Sequence, residues 1–287
     1  MENLKFYDTH SDLPTKYSNL DLSLSIALSN QKKGYKVINA IYKGRESFSN
    51  CLNLAKTFFN KGLSVAFEDC CYQDYIVVND KISKIKIKEC VREMYSCKPQ
   101  YLSLGWNYNN IYCGGCANEG ELTDYGKVFI DEANSFGIAI DTAHCNKKSF
   151  YSIIECSDRV LCSHSALEWV YPHRRNLDKQ QIRTLLEKGG VFGLIGVGHF
   201  LSGIKSNGKN ALNAFCNHVK EYINVFGING LCIGTDFYGS DAPFFNDGDY
   251  NFIALLTEML KNNGLKDEEV KMILYNNALN FFKNTSC

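Results

Sequence analysis

Residues 7–14 of the chain read YDTHSDLP, and they follow an apolar start that is typical of a strand entering a protein core. The stretch places Asp8, His10 and Asp12 within five residues. Ionisable side chains are costly to remove from water unless something pairs with them. We therefore expect other parts of the chain to supply partners at the end of this strand.

Short apolar runs recur along the chain, and segments with helical periodicity separate most of them. The runs are residues 4–7, 37–42, 63–67, 101–104, 138–142, 159–162, 191–196 and 230–234. Continuous apolar strands that alternate with helices indicate a parallel sheet covered on both faces. Eight such units in about 250 residues are typical of a (β/α)8 barrel. The sequence therefore predicts an α/β fold, a single TIM-type barrel domain over residues 1–287.

Two further features refine the predicted fold. A doubly wound sheet is the alternative, but no glycine-rich phosphate loop follows the first strand. Residues 267–284, DEEVKMILYNNALNFFKN, predict an extra C-terminal helix outside the barrel.

Polar residues follow most of the apolar runs. They are His10 and Asp12 after the first run, Glu68 after the third, Trp106 and Asn107 after the fourth, His144 after the fifth, His164 after the sixth and Asp236 after the eighth. In a barrel all of these positions lie on the C-terminal rim, where active sites are built. Three of the six histidines in the chain occur in this set. The distribution predicts that the imidazoles and carboxylates pair with one another through metal.

Two metal ions use this donor set more fully than one ion does. His10 and Asp12 lie two residues apart, so on an extended segment both point the same way. A single ion with three or four protein ligands leaves some donors unused, whereas two ions bridged by a carboxylate use all six. Taken singly, His164 and Asp236 also suit ordinary turns. Imidazole and carboxylate ligands fit zinc, and also iron, cobalt or manganese.

Composition limits the other classes of function. The chain has 287 residues, 45% of them hydrophobic, and its 31 basic residues balance its 31 acidic residues. This balance gives no reason to expect a nucleic acid or an anionic membrane as partner. The N-terminus lacks a signal-peptide pattern, so a cytoplasmic protein is expected. Its 13 cysteines are interpreted as reduced thiols, with the one C-x-x-C pair, Cys113 and Cys116, in a flexible surface loop.

Several segments carry a resemblance to the membrane (renal) dipeptidase family of metallopeptidases, in its short bacterial branch. They are DTHSDLP, FED at 67–69, LGWNYNN, GELTDYGKVFIDEANSFGIAIDTAHC, CSHSALEWVYPHRRNLDKQQIRTLLEKGGVFGLIG and GTDFYG. They occur in the family's order over most of the chain, and the block from Leu122 to Gly196 is the most specific. The resemblance implies a (β/α)8 barrel with two divalent ions, zinc being the expected metal, and hydrolysis of dipeptides, including those with a C-terminal D-residue.

The resemblance also assigns roles to the metal-binding candidates. His10 and Asp12 would bind one ion, and His144 and His164 the other. Glu68 would bridge the ions and take part in catalysis. Asp236 would lie beside the activated water as a ligand or general base.

Arg175, Trp106 and Asn107 are the residues expected to contact a small peptide substrate. Arg175 falls on the family's arginine that grips the C-terminal carboxylate of the dipeptide, a task that suits its two-pronged donor geometry. Trp106 stands where the animal members have a histidine that helps to hold the substrate, which puts the substrate in question. The family usually continues from the bridging glutamate with glycine or glutamate and then glycine, whereas this chain has Asp69, Cys70 and Cys71.

Other functions remain open from the sequence. An amidohydrolase acting on a non-dipeptide amide, a weakly active metal-binding barrel and a cysteine-based redox protein are the alternatives. The natural substrate and the oligomeric state are not fixed by the sequence, and a homodimer is left open.

Overall fold

A closed barrel of eight parallel strands is the centre of the computed structural model, which describes residues 5–203, 209–246, 248 and 250–283. The strands are β1 (Phe6–Ser11), β2 (Tyr35–Tyr42), β3 (Val65–Glu68), β4 (Tyr101–Ser103), β5 (Ala139–Asp141), β6 (Val160–Ser165), β7 (Phe192–Ile195) and β8 (Leu231–Gly234). Their order around the barrel is β1-β8-β7-β6-β5-β4-β3-β2. Each strand lies at one of the eight apolar runs, so the predicted (β/α)8 barrel is confirmed.

Helices follow every barrel strand. They span Leu13–Lys16, Leu20–Lys32, Phe48–Asn60, Gln73–Ile76, Lys84–Tyr95, Asp124–Ser135, Lys147–Cys156, Lys179–Glu187, Gly198–Ser202, Lys209–Phe226, Phe252–Asn262, Asp267–Lys271 and Asn277–Lys283, with a π-helix over Met272–Asn276. At the start of the helix over Asp124–Ser135, the side chain of Thr123 accepts a hydrogen bond from the backbone amide of Gly126. Asp178 and Gln181 form a capping box at the start of another helix. In the described part of the chain, no helix is long and apolar enough to cross a membrane.

The chain forms two compact parts, and the boundaries between them fall inside strands β2 and β6. One part comprises residues 1–38 and 162–287, and the other comprises residues 39–161. The assignment of residues 1–287 to a single domain stays a prediction.

The first part contains β1, β7 and β8, which pair in parallel. Its extra C-terminal segment runs without a break from Asp267 to Lys283, with the π-helix in the middle. Tyr7 of β1 stacks on Phe282 of this segment, with ring centroids 5.5 Å apart. Asn277 donates hydrogen bonds to the backbone oxygens of Ile228 and Leu231, which ties the segment to the start of β8. The predicted C-terminal helix is therefore confirmed as an element packed against the outside of the strands.

The second part contains β3, β4 and β5 together with four helices of ten or more residues. Strand β5 pairs in parallel with β4, with Leu102 opposite Ile140. A two-stranded antiparallel hairpin, Val77–Val78 with Lys81–Ile82, lies between β3 and the helix that begins at Lys84. The apolar pattern did not predict this hairpin, whose strands are only two residues long.

Candidate metal centre

His10, Asp12 and Asp236 form a buried cluster in the first part. His10 is on β1, Asp12 directly follows β1, and Asp236 follows β8. The Nε2 atom of His10 lies 3.4 Å from Oδ2 of Asp12 and 3.9 Å from Oδ1 of Asp236. One possible ligand atom from each residue lies within 4.8 Å of the other two. The arrangement therefore has the spacing of three ligands around one cation.

Backbone pairing between the ends of β1 and β8 brings these side chains together. The amide of Asp236 donates to the backbone oxygen of His10 at 3.1 Å, and the amide of Asp12 donates to that of Phe237 at 2.9 Å. Asp236 has a φ of 56°, in the left-handed region that costs energy for a residue with a side chain. The hydrogen bonds between the two strand ends hold Asp236 in this conformation. Strained backbone conformations of this kind are common at functional sites.

The surroundings of Asp236 disfavour its negative charge. Burial, and after it the nearby carboxylate of Asp12, raise the pKa of Asp236 to about 8, although His10 and Arg175 act in the opposite direction. Oδ1 of Asp12 is buried and has no hydrogen-bond partner among the described residues. Two carboxylates and an imidazole are hard and borderline donors of the kind that zinc and similar divalent ions take. The donor set therefore fits a divalent cation.

Gly239 leaves the room that this cluster needs. A Cβ atom at this position would overlap Oδ2 of Asp12 and Oδ1 of Asp236. A glycine is therefore required here by close approach of two carboxylates and not by its backbone angles. The sequence segment GTDFYG contains this glycine, but only the structure shows what it faces.

His164 and Arg175 lie beside the same cluster. The ring of His164 on β6 is 3.8 Å from the ring of His10, centroid to centroid. Nδ1 of His164 is 2.7 Å from Oγ of Ser163, a contact that orients the imidazole ring. The buried guanidinium of Arg175 donates to the backbone oxygen of His164 at 3.1 Å. Its Nε has no hydrogen-bond partner among the described residues, so the group retains capacity for an anion.

Glu68 and His144 form the corresponding pair in the second part. Glu68 ends β3, and Nε2 of His144 lies 3.1 Å from Oε1 of Glu68. Both residues are buried. His144 has a φ of 68°, and the turn before it is closed by a hydrogen bond from the amide of Ala143 to Oδ1 of Asp141. The turn presents the imidazole to the carboxylate in a second arrangement that suits a cation.

Asn107 and Trp106 both contact His144. Oδ1 of Asn107 is 2.8 Å from Nδ1 of His144, and because an amide oxygen only accepts, Nδ1 carries the proton while Nε2 faces Glu68. The Trp106 ring stacks on the His144 ring at 5.6 Å. The sequence predicts that both residues bind substrate, and no local pattern in it indicates that Asn107 orients a histidine.

The sequence also did not predict the environments of Asp8 and of the two cysteines in the C-x-x-C segment. Asp8 is fully buried and accepts hydrogen bonds from Tyr250 and from Thr235, the residue directly before Asp236. Cys113 is buried, so the interpretation of an exposed loop thiol is wrong for this residue. The thiol of Cys116 donates to Oδ1 of Asn107 at 3.3 Å, which connects the C-x-x-C segment to His144.

The chain is similar to a known protein family and to several solved structures. Residues 85–286 match the family described as membrane dipeptidase, peptidase family M19. Dipeptidase verJ of Clonostachys rogersoniana is 22% identical over 279 residues, covering 96% of this chain and 70% of that protein. A metallo peptidase from Rhodobacter sphaeroides, solved with a phosphinate mimic of the dipeptide L-Ala-D-Ala, has a TM-score of 0.76 at 16% identity, covering 98% of this chain and 99% of that one. A structure described as dipeptidase AC of family M19 has a TM-score of 0.75 at 17% identity and covers 99% of each chain.

Proposed function

Because the chain belongs to the membrane dipeptidase family, peptidase family M19, we propose that it hydrolyses dipeptides with the help of two divalent cations, zinc being the expected metal. Metal-dependent dipeptide hydrolysis is the chemistry that this membership supports. The observation that carries the proposal in the molecule itself is the buried cluster of His10, Asp12 and Asp236. Such a cluster of two carboxylates and an imidazole is costly unless a cation neutralises it.

We assign the six candidate ligands to two ions. His10 and Asp12 would hold one ion, and His144 and His164 the other. Glu68 would bridge the ions, and Asp236 would lie beside the first. The separations of 3.4 Å between His10 and Asp12 and of 3.1 Å between His144 and Glu68 support these two groupings.

The chain's own residues would divide the chemistry as follows. Bound divalent cations would supply a water activated near neutral pH and would polarise the peptide carbonyl. Asp236 would accept a proton from the attacking water and return it to the leaving amine. Asn107 would hold His144 in the tautomer that carries its proton on Nδ1.

Arg175 would position the substrate. Its guanidinium is buried beside His164, close enough to Asp236 to lower the pKa of that carboxyl. A free C-terminal carboxylate on the dipeptide would receive paired hydrogen bonds from such a group. Holding the carboxylate in this way would make attack effectively intramolecular. A C-terminal D-residue fits the proposal, because the carboxylate and not the side chain would be the anchor.

The proposal is tested with purified protein loaded with zinc or, separately, cobalt or manganese. Release of free amino acids from a panel of L-L and L-D dipeptides is measured by chromatography, and metal content is measured by elemental analysis. We expect two ions per chain and hydrolysis that is lost in His10→Ala and Asp236→Asn. A chelator should lower the melting temperature, since metal that binds only the folded state stabilises it.

Two results would contradict the proposal. One is the absence of any dipeptide hydrolysis in protein that holds its full metal content. The other is an anomalous-scattering map with fewer than two ions after metal supplementation. Including amides that lack a free carboxylate in the panel distinguishes a dipeptidase from an amidohydrolase that acts on other substrates.

A further inference from the structure

A pocket of about 750 Å³ opens on the first part of the chain, away from the candidate metal centre. It lies between the C-terminal segment and the beginning of strand β1, and Lys5 at its edge directly precedes that strand. His10 and Asp12 are at the other end of the same strand, about 17 Å or more from Lys5 at the usual rise per residue. The size of the pocket is that of a small-molecule site.

The charge of this pocket is strongly one-sided. Five lysines line it, namely Lys5, Lys36, Lys261, Lys271 and Lys283, against the single carboxylate of Asp267. Asp267 pairs with Lys261, and Glu268 pairs with Lys271 at 3.3 Å. Within the described residues no carboxylate pairs with the other three lysines. The protein as a whole has no net charge, so this concentration of positive charge is local.

The pocket also offers an apolar wall and a buried hydroxyl. Val270, Leu274 and Leu279 line it together with Tyr275, over whose ring Lys5 lies at 5.7 Å. Oγ1 of Thr257 is buried and, among the described residues, has no hydrogen-bond partner. A hydroxyl of this kind is a donor available to an anion inside the pocket.

Part of the wall of this pocket is a π-helix, an uncommon backbone conformation. Leu274, Tyr275 and Asn276 belong to the π-helix that interrupts the C-terminal segment. Single π turns inside α-helices are rare and occur frequently at functional sites. Here the π turn carries an aromatic ring, an amide and an apolar side chain into one cavity.

We propose that this pocket binds a small organic anion that carries phosphate groups on an apolar or aromatic body. The three lysines without carboxylate partners would contact the phosphates, and Thr257 would donate a hydrogen bond to one of their oxygens. Tyr275 and its apolar neighbours would contact the body of the ligand. This site is separate from the dipeptide site, and the proposal does not depend on the proposed hydrolysis.

The experiment is a calorimetric titration of the metal-loaded full chain at low salt, with ADP, pyrophosphate and inorganic phosphate as probes. We expect ADP to bind more tightly than phosphate alone. The variant Lys36→Glu/Lys283→Glu should weaken ADP binding at least tenfold. Lys81→Glu/Lys84→Glu changes the net charge by the same amount at exposed lysines elsewhere and should leave binding unchanged. Thr257→Val should weaken ADP binding by about tenfold, the effect of losing a hydrogen bond to a charged group.

The outcomes separate this pocket from other sources of binding. Equal loss in both double variants would show a general charge effect and would overturn the proposal. ADP binding that is displaced by a dipeptide and unaffected by the pocket variants would place the anion at the metal centre, which also overturns it. Sedimentation with phosphatidylglycerol vesicles, abolished only by the pocket variant and without ADP binding, would support an anion site whose source is a lipid headgroup. Absence of binding to every probe would refute the proposal.

Discussion

Thr235 donates two hydrogen bonds to the buried carboxylate of Asp8, from its amide to Oδ1 at 2.8 Å and from Oγ1 to Oδ2 at 2.6 Å. Tyr250 adds a third, from its hydroxyl to Oδ2 at 2.7 Å. Asp8 lies on β1, two residues before His10, and Thr235 directly precedes Asp236. These hydrogen bonds therefore hold His10 and Asp236, two of the candidate metal ligands, in fixed positions relative to each other.

Asp8→Asn should lower the free energy of unfolding by about 2–3 kcal/mol, because an amide cannot accept from all of these buried donors. Tyr250→Phe removes one hydrogen bond and should cost about 1–2 kcal/mol. Urea denaturation of chelator-treated protein measures both effects without a contribution from metal. If Asp8→Asn proves as stable as the wild type, the carboxylate does not hold the two strand ends together.

Asn107→Leu should weaken metal binding by about 10–100-fold, the usual effect of removing the group that orients a ligand histidine. The hydrogen bond of 2.8 Å between Asn107 and His144 is the reason. Asn107→Asp keeps an acceptor at the same place and should restore most of the affinity. Competition with a chromogenic chelator measures the metal affinity, and dipeptide kinetics measure KM. A rise in KM at unchanged metal affinity would instead make Asn107 a substrate-binding residue, as the sequence analysis expected.

Arg175→Ala should lose about 2–3 kcal/mol of transition-state stabilisation on dipeptides, the value of a charge-assisted hydrogen bond. Amidating the C-terminus of the substrate should cost the wild type a similar amount and the variant little. Arg174→Ala is the matched control, since Arg174 is the exposed neighbour of the buried Arg175. Equal cleavage of free and amidated dipeptides by the wild type would remove Arg175 from the role of carboxylate anchor.

His218 should make stability depend on pH below neutrality. It accepts from the amide of Leu167, its Nε2 lies 2.9 Å from the backbone oxygen of Leu201, and burial lowers its pKa to about 4. The unfolded chain, with an ordinary histidine pKa near 6.5, binds the proton more readily. Stability should therefore be fully present above about pH 6.5 and fall by about 3 kcal/mol as the pH drops through 4. His218→Gln should remove this part of the slope in urea denaturation between pH 4 and 7, and an unchanged slope would assign the acid sensitivity to other groups.

The fold was predictable because its strands are continuous apolar runs, and the ligand candidates were predictable because they follow those runs. Strand β1 extends to Ser11, beyond the apolar run, since hydrogen bonds from Thr235 compensate the buried Asp8. Such compensation comes from residues more than 200 positions away and leaves no local pattern. The same holds for Asn107, whose role depends on a contact with a histidine 37 residues along the chain. The hairpin at 77–82 was not predicted from the sequence, because Val77 and Val78 are exposed and two residues do not form an apolar run.

Trp106→His should raise kcat/KM on simple dipeptides, by up to about 10²–10³-fold, the effect of one hydrogen-bond donor to a developing oxyanion. The Trp106 ring stacks on His144 and lies 5.5 Å from the ring of Tyr42, so its indole is held as a wall. A histidine at this position has a smaller ring and a nitrogen donor that can turn toward the carbonyl oxygen. Trp106→Phe keeps an aromatic contact with His144 without any donor and is the matched control.

His199 is half-buried, with Nε2 3.8 Å from Oδ1 of Asp241, and His199→Ala tests whether it already supplies the donor. If the wild type is fast on dipeptides and stays fast in His199→Ala, or if Trp106→His is no faster than Trp106→Phe, the oxyanion does not depend on a donor at position 106.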